Sequence, residues 1–266
     1  MSDDAEQFEG LAVELARGAA QLVRHGRNAH VEIAAKSTAT DLVTQVDRAS
    51  ERWLVERLAA QRPEDGVLGE EGGERAGRSG VRWLLDPIDG TVNFVLGLPQ
   101  YAVSVAAERD GTVLAGAVCN PATGELFHAR RGGGAYLDDA KLPGPRAVSL
   151  DRAVVGTGFG YDARLRARQV AVLTALLPRV AHVRRLVSAA LDLCYLAAGR
   201  LDAYFEAGLH PWDHGAGGLI AQEAGCVISG PGGGPPSVEL LAAAGATLAP
   251  EFFALLDEVG AGRVSS

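Results

Sequence analysis

Trp83-Leu84-Leu85-Asp86-Pro87-Ile88-Asp89-Gly90-Thr91-Val92-Asn93-Phe94 is the stretch that decides how this chain is read. The apolar run Trp83 to Leu85 reads as a buried strand ending at Asp86. Pro87 cannot donate to a sheet ladder, so the strand is expected to stop there. Asp86 and Asp89 then stand three residues apart on a turn, followed by Gly90, Thr91 and a short apolar segment. A turn that leads into a helix start leaves backbone N–H groups without partners, and these suit a phosphate. Carboxylates beside a phosphate repel it unless cations intervene. The stretch therefore points to a metal-bridged phosphate site. Asp-Pro and Asp-Gly are also ordinary turn dipeptides, and an Asp beside a helix start is an ordinary cap, so the rest of the chain must decide.

Working outward, residues from about Asp4 to His25 carry Phe8, Leu11, Leu15, Ala19 and Leu22 at helical spacing, one buried face. A second helix is predicted from about Thr44 to Ala60, with Val46, Trp53, Leu54 and Leu58 inward. Strands are expected at Val67-Leu68, Val81 to Leu85, Tyr101 to Ala107, Thr112 to Val118, Leu126 to Ala129 and Ala135 to Leu137. Asp110-Gly111 and the Arg131 to Gly134 break are hairpin signals. This part reads as a largely antiparallel sheet covered by the two helices.

Leu142-Pro-Gly-Pro145 marks a junction, giving an N-terminal α+β half (1–143) and a C-terminal α/β half (144–266). The second half alternates: a strand at Val154 to Thr157, helix from about Leu165, a strand, helix Ser188 to Ala198, strand Ala203 to Glu206, helix Gly215 to Ala224. That alternation argues for an α/β layer.

The chain has 266 residues, 47% of them hydrophobic and 22% charged, enough for a large core without staples. A formal charge of −8 argues against a nucleic-acid footprint. It does not argue against an anionic substrate, because bound divalent ions reverse the local sign. Cys119, Cys194 and Cys226 lie in apolar contexts and form no Cys-x-x-Cys pair, so buried thiols in a reducing, cytoplasmic setting are expected. The acidic N-terminus does not read as a signal peptide, and no run of about 18 apolar residues suggests a membrane span.

Further carboxylates fall where strands stop or helices start. Glu70 and Glu71 follow Val67-Leu68-Gly69, Asp47 sits one turn into the second helix, and Asp213 precedes a Gly/Ala-rich helix. Each has a plain alternative: Thr44-x-x-Asp47 as a capping box, Asp213 as a cap, Glu70-Glu71 as a solvated loop.

Taken together, the motifs resemble those of the inositol monophosphatase family. Asp86-Pro-Ile-Asp-Gly-Thr91 with Asn93-Phe94 looks like its first signature, and Trp212-Asp213-His-Gly-Ala-Gly-Gly-Leu-Ile220 like its second. Gly69-Glu70-Glu71, the Lys36…Asp41-Leu-Val-Thr44-x-x-Asp47 segment, Ser188 to Cys194 and Gly199 to Glu206 also match, from about residue 5 to residue 260. The resemblance implies a mixed α/β (α+β) fold, a layered αβαβα sandwich, and a magnesium-dependent phosphate monoester hydrolase, lithium-sensitive and homodimeric.

It also implies roles. Glu70, Asp86 and the carbonyl of Ile88 would hold one Mg2+, and Asp86, Asp89 and Asp213 a second, about 4 Å away; a third weaker ion would sit near Glu70. Catalysis would fall to Glu70 and Thr91, which would orient a metal-bound water, with Asp47 and Thr44 supporting Thr91. Gly90 and Thr91 would bind the phosphate. Ser188, Ala189, Glu206, Asp89 and Asp213 would contact the alcohol, and Arg185 would reach the pocket or a neighbouring subunit. Lys36 and Asp41 would back the metal loop.

Two departures stand out: Val187 occupies a position where family members usually carry Gly, and Arg185 stands two residues earlier. Inositol 1-phosphate is the substrate the resemblance favours. Histidinol phosphate, fructose 1,6-bisphosphate and nucleotide 3′-phosphates stay open, and an RNA- or transcription-associated accessory protein is the non-enzyme alternative. The scattered histidines His128, His182, His210 and His214 are read as structural or surface residues.

Overall fold

The computed structural model describes residues 2–27, 33–36 and 42–263. In order, the first part runs α1 (Ser2–Gly26), β1 (Ile33–Ala35), β2 (Leu42–Thr44), α2 (Gln45–Gln61), β3 (Gly66–Gly69), β4 (Gly73–Arg75), β5 (Val81–Asp89), α3 (Thr91–Leu96), β6 (Ala102–Arg109), β7 (Thr112–Cys119), β8 (Leu126–Arg130), β9 (Gly134–Leu137) and β10 (Ala140–Lys141). The second runs β11 (Val154–Thr157), α4 (Ala163–Leu176), β12 (His182–Arg184), α5 (Ala189–Ala197), β13 (Ala203–Glu206), α6 (Pro211–Glu223), β14 (Cys226–Ser229), β15 (Leu241–Gly245) and α7 (Ala249–Glu258).

Two sheets organise these elements into a mixed α/β sandwich. The larger has strand order β10-β9-β8-β7-β6-β5-β3-β4 and is antiparallel except where β3 runs parallel to β5. The smaller, β12-β11-β13-β15-β14, is parallel at β12-β11-β13 and antiparallel at β13-β15-β14. Helices α1 and α2 cover one face of the large sheet, where Phe8, Leu15, Leu54, Trp83 and Val105 bury together. The Phe8 and Trp83 rings meet edge to face at 5.9 Å, and the indole N–H donates to Asp65 at 3.0 Å, so the largest buried ring leaves no polar atom unsatisfied.

Helices α5 and α6 lie between the sheets. Their apolar residues join one core with both: Leu84 and Phe127 from the large sheet, Tyr204 and Leu241 from the small one. A small-residue face makes this close packing possible: a side chain at Gly217 would meet the Ala190 carbonyl at 2.9 Å. Helices α4 and α7 close the far face around Val172, Phe205 and Phe252.

Strand β5 departs from expectation. It does not end at Asp86 but runs to Asp89, and its ladder with β6 shifts between those two residues: Asp86 faces Ser104 and Asp89 faces Ala102. Three steps on β5 match two on β6, so Pro87, which has no N–H, falls where the ladder needs none. The irregularity re-aims Asp86, Ile88 and Asp89 at the sheet end. Helix α6 likewise begins at Pro211, earlier than the predicted Gly215, which puts Asp213 in its first turn rather than before it.

Candidate functional site

The ends of β3, β5 and β13 and the starts of α2, α3, α5 and α6 meet at one cleft of about 840 Å³. It is lined by Lys36, Glu70, Asp86, Ile88, Asp89, Gly90 and Thr91 from the first half, and by Val187, Ala189, Glu206 and Asp213 from the second. Asp47, Thr44 and Ser188 stand behind this lining. Asp41 lies outside the described residues.

Each carboxylate is fixed by a local device. Asp86 Oδ1 accepts from the Ile88 N–H at 3.0 Å, an Asx-type turn within the ladder shift. Asp89 Oδ2 accepts from Ser188 Oγ at 2.6 Å and from the Ala190 N–H at 2.7 Å, so it caps α5 from across the cleft. Asp213 Oδ2 accepts from the His210 N–H at 2.6 Å, the reciprocal half of a capping box. Glu70 Oε1 takes the Lys36 ammonium at 2.8 Å, and Glu71 pairs with the same ammonium.

The Thr44-x-x-Asp47 capping box forms: the Thr44 N–H donates to Asp47 Oδ2 at 2.8 Å and the Thr44 hydroxyl also bonds Asp47. Its other oxygen does more than cap. Asp47 Oδ1 lies 3.1 Å from Thr91 Oγ1, and the Ile88 carbonyl lies 3.0 Å from the same hydroxyl. The hydroxyl hydrogen is committed to one of these two acceptors, which leaves the Thr91 lone pairs as acceptors.

Gly90 is required where it stands. Its φ of 89° is left-handed, and a side chain there would meet the carbonyls of Gln100 and Val187 at 3.0 Å each. Val187 itself is left-handed at φ 72°, a conformation that costs a β-branched residue about 1–2 kcal/mol. The segment is pinned by Asn93, whose amide donates to Leu186 O at 2.6 Å and Gln100 O at 2.7 Å.

Electrostatics mark the cleft as strongly anionic around its carboxylates. Burial raises the Asp86 carboxyl well above its usual value, and repulsion from Glu70, Asp89 and Asp213 adds to it. Burial pushes Asp89 up to about 7 against its hydrogen bonds from Ser188 and Ala190, and Glu206 and Glu70 push the same way. Asp213 is raised well above normal by burial and by Asp89. Burial also brings Glu206 to about 7, opposed by the Tyr204 hydroxyl at 2.6 Å and by Arg185.

Oxygen donors alone (carboxylates and the Ile88 carbonyl) suit a hard cation such as Mg2+, and repulsion among crowded carboxylates is relieved by one. Among the described residues no three His, Cys, Asp or Glu side chains already form a finished metal cage. The groups share a cleft, each with one oxygen held by the protein.

Sequence reading missed several contributors. Glu51 on α2 accepts from the N–H groups of Glu71 at 2.8 Å and Gly72 at 2.5 Å, and so fixes the Glu70-Glu71 turn. Gly69 and Gly72 leave room for its carboxyl. A charged residue on the buried side of an amphipathic helix was the available signal. His210, read as structural or surface, lines the cleft stacked on Trp212 at 4.8 Å. His214 is held down to about 4 by burial and by His210. Phe159, Tyr161 and Arg166 also line the cleft, from the loop between β11 and α4 and the start of α4.

The model of the inositol monophosphatase family matches residues 4–261. An inositol-1-monophosphatase of Mycobacterium leprae is 47% identical over 257 residues, spanning 87% of this chain and 88% of its own. A protein of Pasteurella multocida called Nus factor SuhB is 41% identical over 228 residues, 84% of this chain and 85% of its own. The solved structure of Mycobacterium tuberculosis SuhB aligns at a TM-score of 0.83 with 42% identity, over 97% of this chain and 98% of that one. The fold is that of the family's phosphatases. The chain belongs to the inositol monophosphatase family.

Proposed function

We propose that this phosphatase is a magnesium-dependent inositol-1-monophosphatase, acting on inositol 1-phosphate or a closely similar polyol phosphate. The observation that carries the reading is the convergence of Glu70, Asp86, Asp89 and Asp213 on one cleft, with the Thr91–Asp47 pair on one side and Glu206 on the other. The name of the Mycobacterium leprae relative supports the substrate.

Glu70, Asp86, Asp89, Asp213 and the Ile88 carbonyl would hold two or three Mg2+ ions, which when bound would neutralise the phosphate and acidify water. The protein's own groups would do the rest. Thr91, its hydrogen committed to Asp47 or the Ile88 carbonyl, would accept a hydrogen bond from water and turn the water oxygen toward phosphorus. Backbone N–H groups at Gly90 and Thr91 would hold the phosphate at the start of α3. Lys36 would balance the charge of Glu70 and Glu71. Ser188, Ala189, Glu206 and Arg185 would face the alcohol. No covalent phosphoenzyme is needed, since phosphoryl transfer depends on positioning and charge stabilisation. We infer a homodimer working in the cytoplasm and inhibited by lithium, as the family resemblance implies.

Asp89→Asn tests the site. The asparagine oxygen still accepts from Ser188 and Ala190, so the fold is expected to hold while magnesium-dependent phosphate release disappears. Unchanged turnover would refute the assignment. A phosphate-release panel of inositol, histidinol, fructose and nucleotide phosphates tests the substrate, with inositol 1-phosphate expected to lead.

A second reading, as an accessory factor in transcription, draws on the name of the Pasteurella multocida relative. The net charge of −8 makes direct nucleic-acid binding the less favoured route for it.

A further inference from the structure

The loop Gly158-Phe159-Gly160-Tyr161 crosses the alcohol side of the cleft, and α4 grips it from behind. The Gly160 N–H donates to Gln169 Oε1 at 2.9 Å. Arg166 Nη1 donates to Tyr161 O at 2.7 Å and reaches Gly160 O at 3.3 Å. Gln169 is itself buried, and its amide nitrogen reaches the Ala207 carbonyl at 3.5 Å, one residue beyond Glu206. One side chain thus ties the loop to the strand end that carries Glu206.

Two contacts face the cleft. Phe159 lies under the Arg185 guanidinium, with Cζ 5.5 Å from the ring centroid. At Gly158 an added Cβ would lie 2.0 Å from both Glu206 oxygens, so the loop backbone closes directly over that carboxylate. A guanidinium over a ring face keeps N–H groups to donate, and Glu206, near enough for its carboxyl to feel the Arg185 charge, offers Oε1 as an acceptor while Tyr204 holds Oε2. Alcohol hydroxyls both donate and accept, so a neighbouring donor and acceptor match a polyol and offer nothing to an alcohol without hydroxyls.

We propose that the Gly158–Tyr161 loop is a specificity wall, in which Phe159 positions Arg185 beside Glu206 so that the two together recognise neighbouring hydroxyls of a cyclic polyol. Phe159 is a positioning residue: it acts through Arg185. This rests on the polyol phosphatase reading and deepens it. A phosphate ester whose alcohol carries no hydroxyl makes no use of the wall, since its turnover depends on the Thr91 and carboxylate side alone.

The test compares kcat/KM for inositol 1-phosphate and for 4-nitrophenyl phosphate in the full-length, magnesium-loaded protein. Phe159→Ala is expected to lower the first by about tenfold, mainly through KM, and to leave the second within about twofold. Phe159→Tyr keeps the ring and is expected to restore the first. Phe159 is only half-buried, and thermal melting of both variants checks that the fold is kept. Equal losses on both esters, or no loss on either, would overturn the wall. Wild-type protein that releases phosphate from neither ester would overturn the phosphatase reading, and the wall with it.

Discussion

Gly158→Ala offers a sharp perturbation of the alcohol side of the cleft. The backbone at Gly158 is not left-handed, so alanine brings no conformational penalty and removes some freedom from the unfolded chain. The difficulty is contact. The new Cβ would lie 2.0 Å from both Glu206 carboxylate oxygens, where real Cβ contacts stay above 3.0 Å. The carboxylate must therefore withdraw by about 1 Å, away from the cleft or away from the Tyr204 hydroxyl that holds it at 2.6 Å. Loss of a hydrogen bond to a charged group costs about 1.5–3 kcal/mol. Against a backbone gain of roughly 0.4–1 kcal/mol, the net destabilisation is about 1–2 kcal/mol, a Tm lower by roughly 2–8 °C. With Glu206 facing the alcohol as proposed, a shift of about 1 Å is expected to cost up to about 100-fold in kcat/KM. The assay is phosphate release from inositol 1-phosphate over a concentration series, read beside thermal melting. A variant with wild-type KM and kcat would refute the argument, because it would mean that Glu206 can retreat without the substrate noticing.

Asp192 on α5 is buried with neither carboxylate oxygen hydrogen-bonded, and burial first, then Glu206 and Asp89, raises it well above its usual value. Its ionised form therefore opposes folding above the unfolded carboxylate range. Asp192→Asn, with the same shape and no ionisation, is expected to melt higher than wild type at pH 8 and alike at pH 4; a lower Tm at pH 8 would contradict this. Asp89 and Glu206, raised from 3.8 and 4.5 to about 7, follow the same sign without metal: their contribution is intact below about pH 4 and is lost as pH rises through 7. Magnesium is thus expected to raise Tm more at pH 8 than at pH 5, measured against EDTA-treated protein. An equal shift at both values would detach the cation from these carboxylates.

Local chemistry made much of the fold legible. The capping box at Thr44 and the Asp110-Gly111 turn between β6 and β7 depend on neighbours in sequence, and both form as read. Features set by distant partners were not legible. Pro87 ends a strand on local grounds, yet β6 accommodates it in a shifted register. The start of α6 at Pro211 is a local matter instead: Pro211 at the first position and the His210–Asp213 capping box open the helix ahead of the Gly/Ala run, where the sequence suggests only a cap at Asp213. Strands β14 and β15 flank a glycine-rich loop, and long-range pairing defines them: β15 with β13, and β14 with β15. In the cleft, carboxylates at element ends stood out by position. Glu51 and Gln169 did not, since their importance comes from the backbone atoms they bind 20 and 9 residues away. The Val187 backbone is a similar case: an unusual residue type is visible, but its left-handed turn is not.

Asp89 belongs to the large sheet, yet its oxygen is the cap of α5, a helix that belongs to the core shared with the small one. In the proposed site one carboxylate is thus both metal ligand and fastening. A change anywhere along the seam that lets α5 drift by a fraction of a bond length would unseat Asp89 before it unfolded either sheet. Catalytic output in this architecture is a gauge of alignment, and inactive but well-folded variants should map as densely to the α5 contact surface as to the cleft.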